Sequence, residues 1–474
     1  MKARKEAGRP AKAAAPDFNF RRLPGGRVLL TNDSGASAVV DEAGFRAVAA
    51  GRPAGKTAAG LEAKGFVRER MDFEGYAAAR ASRNTFLNSG PGLHILVTTL
   101  RCNHKCLYCQ AGAAPAGGNG TDMSRKVARK SVDFALNSTN PGLTIEFQGG
   151  EPLLNWATLS DAVVYARRRA KAAGRDLRLA LVSNFSLMTE QKARFLLENE
   201  VSICTSLDGP ADLHDRNRVF AGGDAHALTV RWLKYFSERA DRQGPGYRVF
   251  KPSALLTVTR ASLGRARDII DEYARLGLGD IFVRPLTPIG YARKLWPEIG
   301  YSAADFAKFY RACLDRILEL NASGTQLRER HAMIMLQKIA GADPGYLDMR
   351  CPCGAAIGQL AYDYNGDLYT CDEGRMVGWE GDKMFRLGSV LKDDYRSVML
   401  APVSRACAAA SNLEAQPRCA RCAYKPYCGY ALYATTSRRA RCGGTWPRAT
   451  AARSRWECST RCSACCRSRP RLRY

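Results

Sequence analysis

The chain has 474 residues, of which 46% are hydrophobic and 25% charged, with a formal net charge of +27; that length allows a core of about 200 residues with flanking domains. It contains no apolar run long enough to span a bilayer, which excludes helical membrane proteins. Seventeen cysteines without an apolar signal segment point to metal in a reducing, cytoplasmic setting and not to a disulfide framework.

In chain order, residues 1–17 are rich in Lys, Arg, Ala and Pro and are expected to form a disordered basic arm. Residues 18–75 read as a small module, with a strand at Arg27–Asn32, a turn at Asp33–Gly35, a strand at Ala38–Val40 and helical segments ending at Leu61–Val67. A hairpin followed by helices resembles the winged-helix-like recognition modules of enzymes that modify ribosomal peptides. Such modules take a leader peptide as an added strand on an exposed edge. A simple capping subdomain fits the same pattern.

The apolar run Leu93–Thr99 reads as a strand, and directly after it comes Cys102-Asn-His-Lys-Cys106-Leu-Tyr108-Cys109. Thiolates suit Fe–S clusters, zinc or Cu(I), and a closed cage takes four of them. Three on one short loop leave one metal position open for chemistry; a zinc site lacking a ligand is the competing reading. A second strand, Leu143–Phe147, runs into Gln148-Gly149-Gly150-Glu151-Pro152. The glycines permit close backbone approach to a ligand, and the carboxylate can accept from an ammonium group. Further strand-like runs at Leu177–Ser183, Val201–Leu207, Val249–Thr259 and Asp280–Leu286 alternate with amphipathic stretches such as Gln191–Glu198, Ala225–Phe236 and Arg265–Leu276. This alternation predicts an α/β fold over 90–325: a parallel sheet curved into a partial (β/α)6 barrel with sites at the strand C-termini.

The Cx3CxxC motif followed one β/α unit later by Gly-Gly-Glu-Pro resembles the radical S-adenosylmethionine (SAM) enzymes. The resemblance implies that Cys102, Cys106 and Cys109 hold a 4Fe–4S cluster whose free iron chelates SAM. It also implies that Tyr108 is the aromatic of the motif and that Gly149, Gly150 and Glu151 hold the SAM amino group. Ser183 and Asn184 end the third strand, where the superfamily contacts the SAM ribose. Ser206-Leu-Asp208-Gly-Pro210 ends the fourth strand and leads into His214-Asp-Arg-Asn-Arg218. In peptide-modifying relatives a Ser and an Arg matching Ser206 and Arg218 contact SAM, although Arg218 read alone is equally a solvated charge. Arg284, at the end of the sixth strand, is a cofactor-binding candidate of the same kind. The implied chemistry is reductive cleavage of SAM and hydrogen abstraction by the 5′-deoxyadenosyl radical, with a reductant such as flavodoxin or ferredoxin.

Residues 345–429 carry a second cysteine set: Cys351-Pro-Cys353, then Gly366-Asp-Leu-Tyr-Thr-Cys371-Asp372, then Cys419, Cys422 and Cys428. Gly-x4-Cys followed by CxxCx5C resembles the SPASM domain, which in related maturases binds up to two auxiliary 4Fe–4S clusters; a zinc ribbon is the alternative. In sulfatase maturases the acid matching Asp372 is a general base, and a carboxylate beside an anionic cluster should have its pKa raised; a turn-capping Asp is the plainer reading. Cys204 and Cys313 lie in apolar periodic segments and read as inert core residues, while Cys407 has no evident role.

From about Phe18 to Gly429 the chain is most similar to the His-Xaa-Ser system radical SAM maturases, notably over residues 20–33 and the run from Cys422 to Gly429. Positions 430–474 depart from that pattern. They hold 11 Arg, no Lys and one acid, Glu457, without helical or strand periodicity, and read as the product of a reading-frame error. The alternative is a basic tail that supplies ligands through Cys442, Cys458, Cys462, Cys465 or Cys466. Relatives draw one ligand of each auxiliary cluster from this region, so the resemblance leaves both clusters short of a ligand here. Setting aside this tail (+10) and residues 1–16 (+4) leaves +13. No nucleic-acid motif accompanies that charge, so the basic surface is expected to be solvated or to face a peptide. Three functions fit: a maturase of a precursor peptide or small protein, a sulfatase-type maturase forming formylglycine, or a non-catalytic Fe–S or zinc protein.

Overall fold

The computed structural model describes residues 18–429 other than 54, 56–57 and 243–250. The expectations for the basic arm, for Val249 and Phe250 of the fifth strand and for the Arg/Cys-rich tail therefore lie outside the described residues.

The chain begins with an antiparallel sheet of β1 (Asn19–Leu23), β2 (Arg27–Thr31) and β3 (Ser37–Asp41), in that order. The sequence predicts only the latter two strands. β1 carries two consecutive arginines, which mask its alternation. The middle strand is buried on both faces: Val28 and Leu30 pack with Phe18, Phe45, Val48, Leu61 and Phe66 under the helices that follow. Leu29, on the other face, packs with Ile334, Met335, Met349, Ala423, Tyr424 and Tyr427. Asp41 caps the first helix, Glu42–Ala49, by accepting from the Gly44 N–H.

The main sheet has ten strands. Six follow one another in parallel: β4 (Leu93–Thr99), β5 (Gly142–Gly149), β6 (Asp176–Val182), β7 (Val201–Ser206), β8 (Ser253–Thr257) and β9 (Asp280–Arg284). A short strand, β10 (Arg328–Glu329), pairs parallel to β9. At the other edge β11 (Gln359–Tyr362) pairs parallel to β4, and β12 (Asp367–Tyr369) and β13 (Arg386–Ser389) continue the sheet antiparallel. The cysteine-rich C-terminal part thus extends the sheet of the α/β core, held at the seam by the buried pair His94 Nδ1 and Tyr362 OH at 2.7 Å.

β5 to β8 alternate in burial, whereas β4 is buried almost throughout. Leu143, Ile145 and Phe147 of β5 and Leu177, Leu179 and Leu181 of β6 enter the main core with residues of helices such as Trp156–Ala172 and Ala266–Arg275. The opposite face carries Glu146, Gln148, Cys204, Ser206 and Arg284, all half-buried. The sheet is curled: four strand spacings separate β5 from β9, about 19 Å if flat, yet the Glu146 carboxyl feels the Arg284 guanidinium. A polar concave face lies inside, with helices outside.

The module and the C-terminal segment form one packed unit. Thr31 donates to the Ala423 carbonyl at 2.8 Å, Lys425 pairs with Asp33 at 2.8 Å, and Arg83 donates to the Pro426 carbonyl at 2.6 Å. The half-exposed pair of Arg80 and Glu414 adds little by comparison. Leu29→Ala is expected to cost about 2–5 kcal/mol through the cavity it leaves, whereas Arg80→Ala should cost under about 1 kcal/mol. Denaturant unfolding of the two variants checks this; equal small effects would mean that surface pairs, and not the apolar contact, hold the module.

Candidate functional site

The cysteine loop leaves the C-terminal end of β4 and is fixed from three sides. Arg101 bonds both oxygens of Asp122, at 2.8 and 2.6 Å, and reaches the carbonyls of Ala116 and Leu154. His104–Cys106 pairs antiparallel with Arg218–Phe220, which sets Arg218 opposite Cys106. Tyr291 donates its N–H to the Cys109 carbonyl at 2.9 Å. Tyr108, from inside the loop, donates to Asp208 at 2.6 Å; Asn217 also donates to this carboxylate, at 3.3 Å, and the Arg218 guanidinium stands 3.6 Å from it. The same guanidinium lies over the Tyr108 ring, 5.4 Å from its centroid. Asp208 follows the fourth strand, and the sequence marks it only as part of that strand end. Its partner Tyr108 lies a hundred residues earlier in the chain, so no local pattern reveals the pairing.

Glu151 has no exposed surface. One of its oxygens accepts from the Leu153 N–H at 3.0 Å and the Ser183 hydroxyl at 2.8 Å, and the other accepts from the Asn184 N–H at 2.8 Å. Burial raises its pKa, and the Asn184, Leu153 and Ser183 bonds oppose the rise. Asn184 in turn donates to Asn103 at 3.1 Å and stands 4.0 Å from the Cys102 sulfur. The carboxylate therefore ties the ends of β5 and β6 to the cysteine loop. Gly149 and Gly150 serve the same junction: an added Cβ would lie 2.1 Å from the Thr99 carbonyl oxygen and 2.3 Å from that of Arg101. Their close approach is thus to the chain itself, through Gly150 and Glu151 N–H bonds to Thr99 and Arg101, where the sequence suggested approach to a ligand.

Three thiols on one loop fit an Fe–S cluster in donor chemistry. Burial pushes the Cys102 thiol up to about 12 and Cys106 up to about 11, with neighbouring thiols adding to both. The sulfurs therefore lie within electrostatic reach of one another, and iron would supply the positive charge that thiolates need. Among the described residues no trio of Cys, His, Asp or Glu side chains stands ready as a metal-ligand set, so the fit rests on donor chemistry and spacing. Ser206 ends β7 two residues before Asp208. Arg284 lies over Phe282, 5.5 Å from the ring centroid, on the face of the sheet that carries Glu146.

In the C-terminal part, Cys353 and Cys371 are buried together with Ala355. The Cys351 sulfur accepts from the Leu413 N–H at 3.1 Å. Cys419, Cys422 and Cys428 lie on successive turns, with the Cys422 sulfur accepting from the Tyr424 N–H at 3.4 Å. Cys371 caps the helix Asp372–Trp379. Asp372 is ion-paired at 3.0 Å with Arg375, whose side chain is 1% exposed. Arg375 also donates to the Ala111 carbonyl at 3.3 Å, two residues after Cys109, and so joins the two cysteine-bearing regions. The i,i+3 spacing of Asp372 and Arg375 was the available signal for this pair. The Glu373 carboxyl is pushed up to about 7 through burial and the nearby Asp348 and Asp372.

Cys313 is a fully buried core residue, as expected, and Cys407 joins a small core with Ile95, Ala361, Tyr369 and Phe385. Cys204 departs from expectation. It alternates with buried Ile203 and Thr205 and so occupies the concave face, not the core.

Residues 96–241 match the profile of the Radical SAM superfamily. The chain is 25% identical over 308 residues to a cysteine-type anaerobic sulfatase-maturating enzyme of Clostridium perfringens, covering 63% of this chain and 78% of that one. Native anSMEcpe with bound AdoMet and Cp18Cys peptide superposes with a TM-score of 0.64 at 20% identity, covering 79% of this chain and 99% of that one. Streptococcus suis SuiB bound to precursor peptide SuiA gives 0.53 at 15% identity, covering 87% and 93%. The structural likenesses establish the fold. The radical SAM domain over residues 96–241 and the likeness to a sulfatase-maturating enzyme indicate an enzyme, and the cofactors of that superfamily are a 4Fe–4S cluster and SAM.

Removing Arg375 would strand Asp372 and leave the Ala111 carbonyl without its donor. Arg375→Met is expected to destabilise the metal-free protein by about 3–5 kcal/mol. Urea unfolding measures it, and a loss below about 1 kcal/mol would show that the pair does not join the two regions.

Proposed function

We propose that the protein modifies a side chain of a ribosomally made peptide or small protein, as a radical SAM/SPASM maturase of a His-Xaa-Ser type system. The observation that carries this reading is the three-thiol loop, locked by Glu151 and Asp208 at the mouth of a polar concave face. Cys102, Cys106 and Cys109 would hold the SAM-binding cluster. When bound, the cluster and SAM supply reductive cleavage to a carbon radical able to abstract hydrogen. Tyr108 within the loop, Arg218 opposite Cys106, and Ser183, Asn184 and Ser206 at the strand ends would orient SAM. Gly149, Gly150 and Glu151 would act by shaping the junction beside its amino group. Arg284, from its place on the concave face, would meet substrate more readily than SAM.

The relatives support a peptide substrate: anSMEcpe is seen with a peptide and SuiB with its precursor. In this chain the module of β1–β3 would receive the precursor, since β1 and β3 each pair on one side only among the described residues. Cys351, Cys353, Cys371, Cys419, Cys422 and Cys428 would serve auxiliary clusters. A flavodoxin or ferredoxin would supply electrons.

A second reading, oxidation of Cys or Ser to formylglycine, is favoured by the likeness to the clostridial enzyme and by Asp372 after Cys371. In that case Asp372 would take the proton through Oδ2, because Oδ1 is bonded to Arg375. The two readings part on the product: mass spectrometry of a co-expressed neighbouring small protein identifies a modified side chain, whereas a sulfatase peptide converted to formylglycine would select the second.

Two outcomes are expected. Anaerobically reconstituted protein given dithionite and SAM should form 5′-deoxyadenosine, and Cys106→Ala should abolish it; undiminished formation by that variant would sink the assignment. Precursor binding should slow amide exchange along β1 (Asn19–Leu23) or β3 (Ser37–Asp41) while sparing the Glu42–Ala49 helix. Unchanged exchange in both strands would rule out strand addition.

A further inference from the structure

Phe282 and Arg284 of β9 alternate with Ile281 and Val283, which enter the main core, so both stand on the concave face. Arg284 closes its strand at the same end of the sheet from which the cysteine loop leaves β4. Arg330 follows β10 directly, at that end too, where it opens the helix Arg330–Ile339 and is exposed. Its guanidinium carbon lies 5.2 Å from the Phe282 ring centroid and 5.8 Å from that of Tyr346. Two guanidinium groups therefore share the Phe282 ring, and the His331 ring lies 4.5 Å from it as well. Bringing like charges together is unfavourable unless an anion meets them. The chain's own carboxylates answer the two unequally. Glu373 acts on Arg284 and Asp348 on Tyr346, whereas among the described residues no carboxylate pairs with Arg330. Glu146, on the facing wall, accepts from Gln148 at 2.5 Å, and Asp372 is held by Arg375 at 3.0 Å. The floor between the walls is built of small side chains. Ala180 is registered beside Glu146, Ser202 beside Ala180, and Ser253 beside Cys204. Ala180, Ser202, Cys204 and Ser253 are all half-buried, and their short side chains leave room above them.

We infer that Arg330 and Arg284 form a subsite that seats a carboxylate of the peptide substrate, with Phe282 and Tyr346 as its platform. This rests on the peptide-substrate reading above and names what the peptide must carry. A guanidinium presents a planar fork that fits both oxygens of a carboxylate, and aromatic rings against it hold its plane. Arg330, without an ion pair of its own, supplies the fork, and Arg284 adds charge from the strand end. The residue to be modified then lies over the small-side-chain floor, between this anchor and the cysteine loop. Both arginines hold the substrate and take no part in making or breaking bonds.

The test uses the full chain, reconstituted anaerobically, with the neighbouring small protein as probe and kcat/KM for its modification read by mass spectrometry. The probe is prepared unaltered, with each Asp changed to Asn and each Glu to Gln one at a time, and with its C-terminal carboxylate amidated. One of these neutral forms should lose at least about tenfold in kcat/KM, and which one it is separates an acidic side chain from the chain terminus. Arg330→Gln should lose as much on the unaltered probe, yet act on that neutral form no worse than the unchanged enzyme does. Arg330→Lys keeps the charge but not the fork, and should fall between. An unchanged enzyme indifferent to every neutral form, or an Arg330→Gln variant that loses equally on all forms, overturns the subsite while leaving the peptide reading intact. Failure of the unchanged enzyme to modify the small protein overturns the peptide reading and the subsite with it.

Discussion

A carboxylate stripped of water must find donors, and the architecture of the site follows from where Glu151 finds them. Its three bonds go to Leu153 on its own turn and to Ser183 and Asn184 at the end of the next strand. Two strand ends and the cysteine loop are thereby held in one arrangement, at the edge of the sheet where backbone groups would otherwise be loose. Asp208 repeats the device one strand further round, gathering Tyr108, Asn217 and Arg218. Both carboxyls sit in surroundings that raise their pKa, burial being the largest cause. The loop is rigid because releasing either group would leave several buried donors unmatched.

The regions that look like separate domains along the chain are mechanically continuous. β11 adds to β4, so that the sheet supporting the first cysteine loop also supports the second cysteine set. Arg375 bridges from the helix after Cys371 to the Ala111 carbonyl beyond Cys109. The N-terminal sheet closes over Ala423, Tyr424 and Tyr427, which lie between Cys422 and Cys428. A precursor held by that sheet would therefore rest against the cysteine-bearing segment, and the module cannot be removed without uncovering its core.

Several individual residues took meanings that spacing could not give. Gly149 and Gly150 are small because carbonyls of Thr99 and Arg101 come within reach of their missing side chains. Cys204 faces the polar interior because β7 turns Val201, Ile203 and Thr205 toward the helices. Asp372, a candidate base by position, is half committed to a buried arginine three residues on. The six parallel strands, by contrast, were legible as apolar runs spaced between amphipathic stretches. The exceptions were boundaries, the strand β1 and the short β10, where charged residues obscure the period.

The sequence by itself determined the parallel α/β core, the three-thiol loop after β4 and the Gly-Gly-Glu-Pro turn after β5, because each depends on neighbours close in the chain. Helical and strand periodicity and the reach of one loop are local properties. Only the tertiary structure decided which groups Glu151 and Asp208 meet. Ser183 and Asn184 lie more than thirty residues beyond Glu151, and Tyr108 lies a hundred residues before Asp208; a buried charge is defined by what surrounds it in space. The curl of the sheet likewise decided that Glu146 and Arg284, on strands four places apart, share one interior.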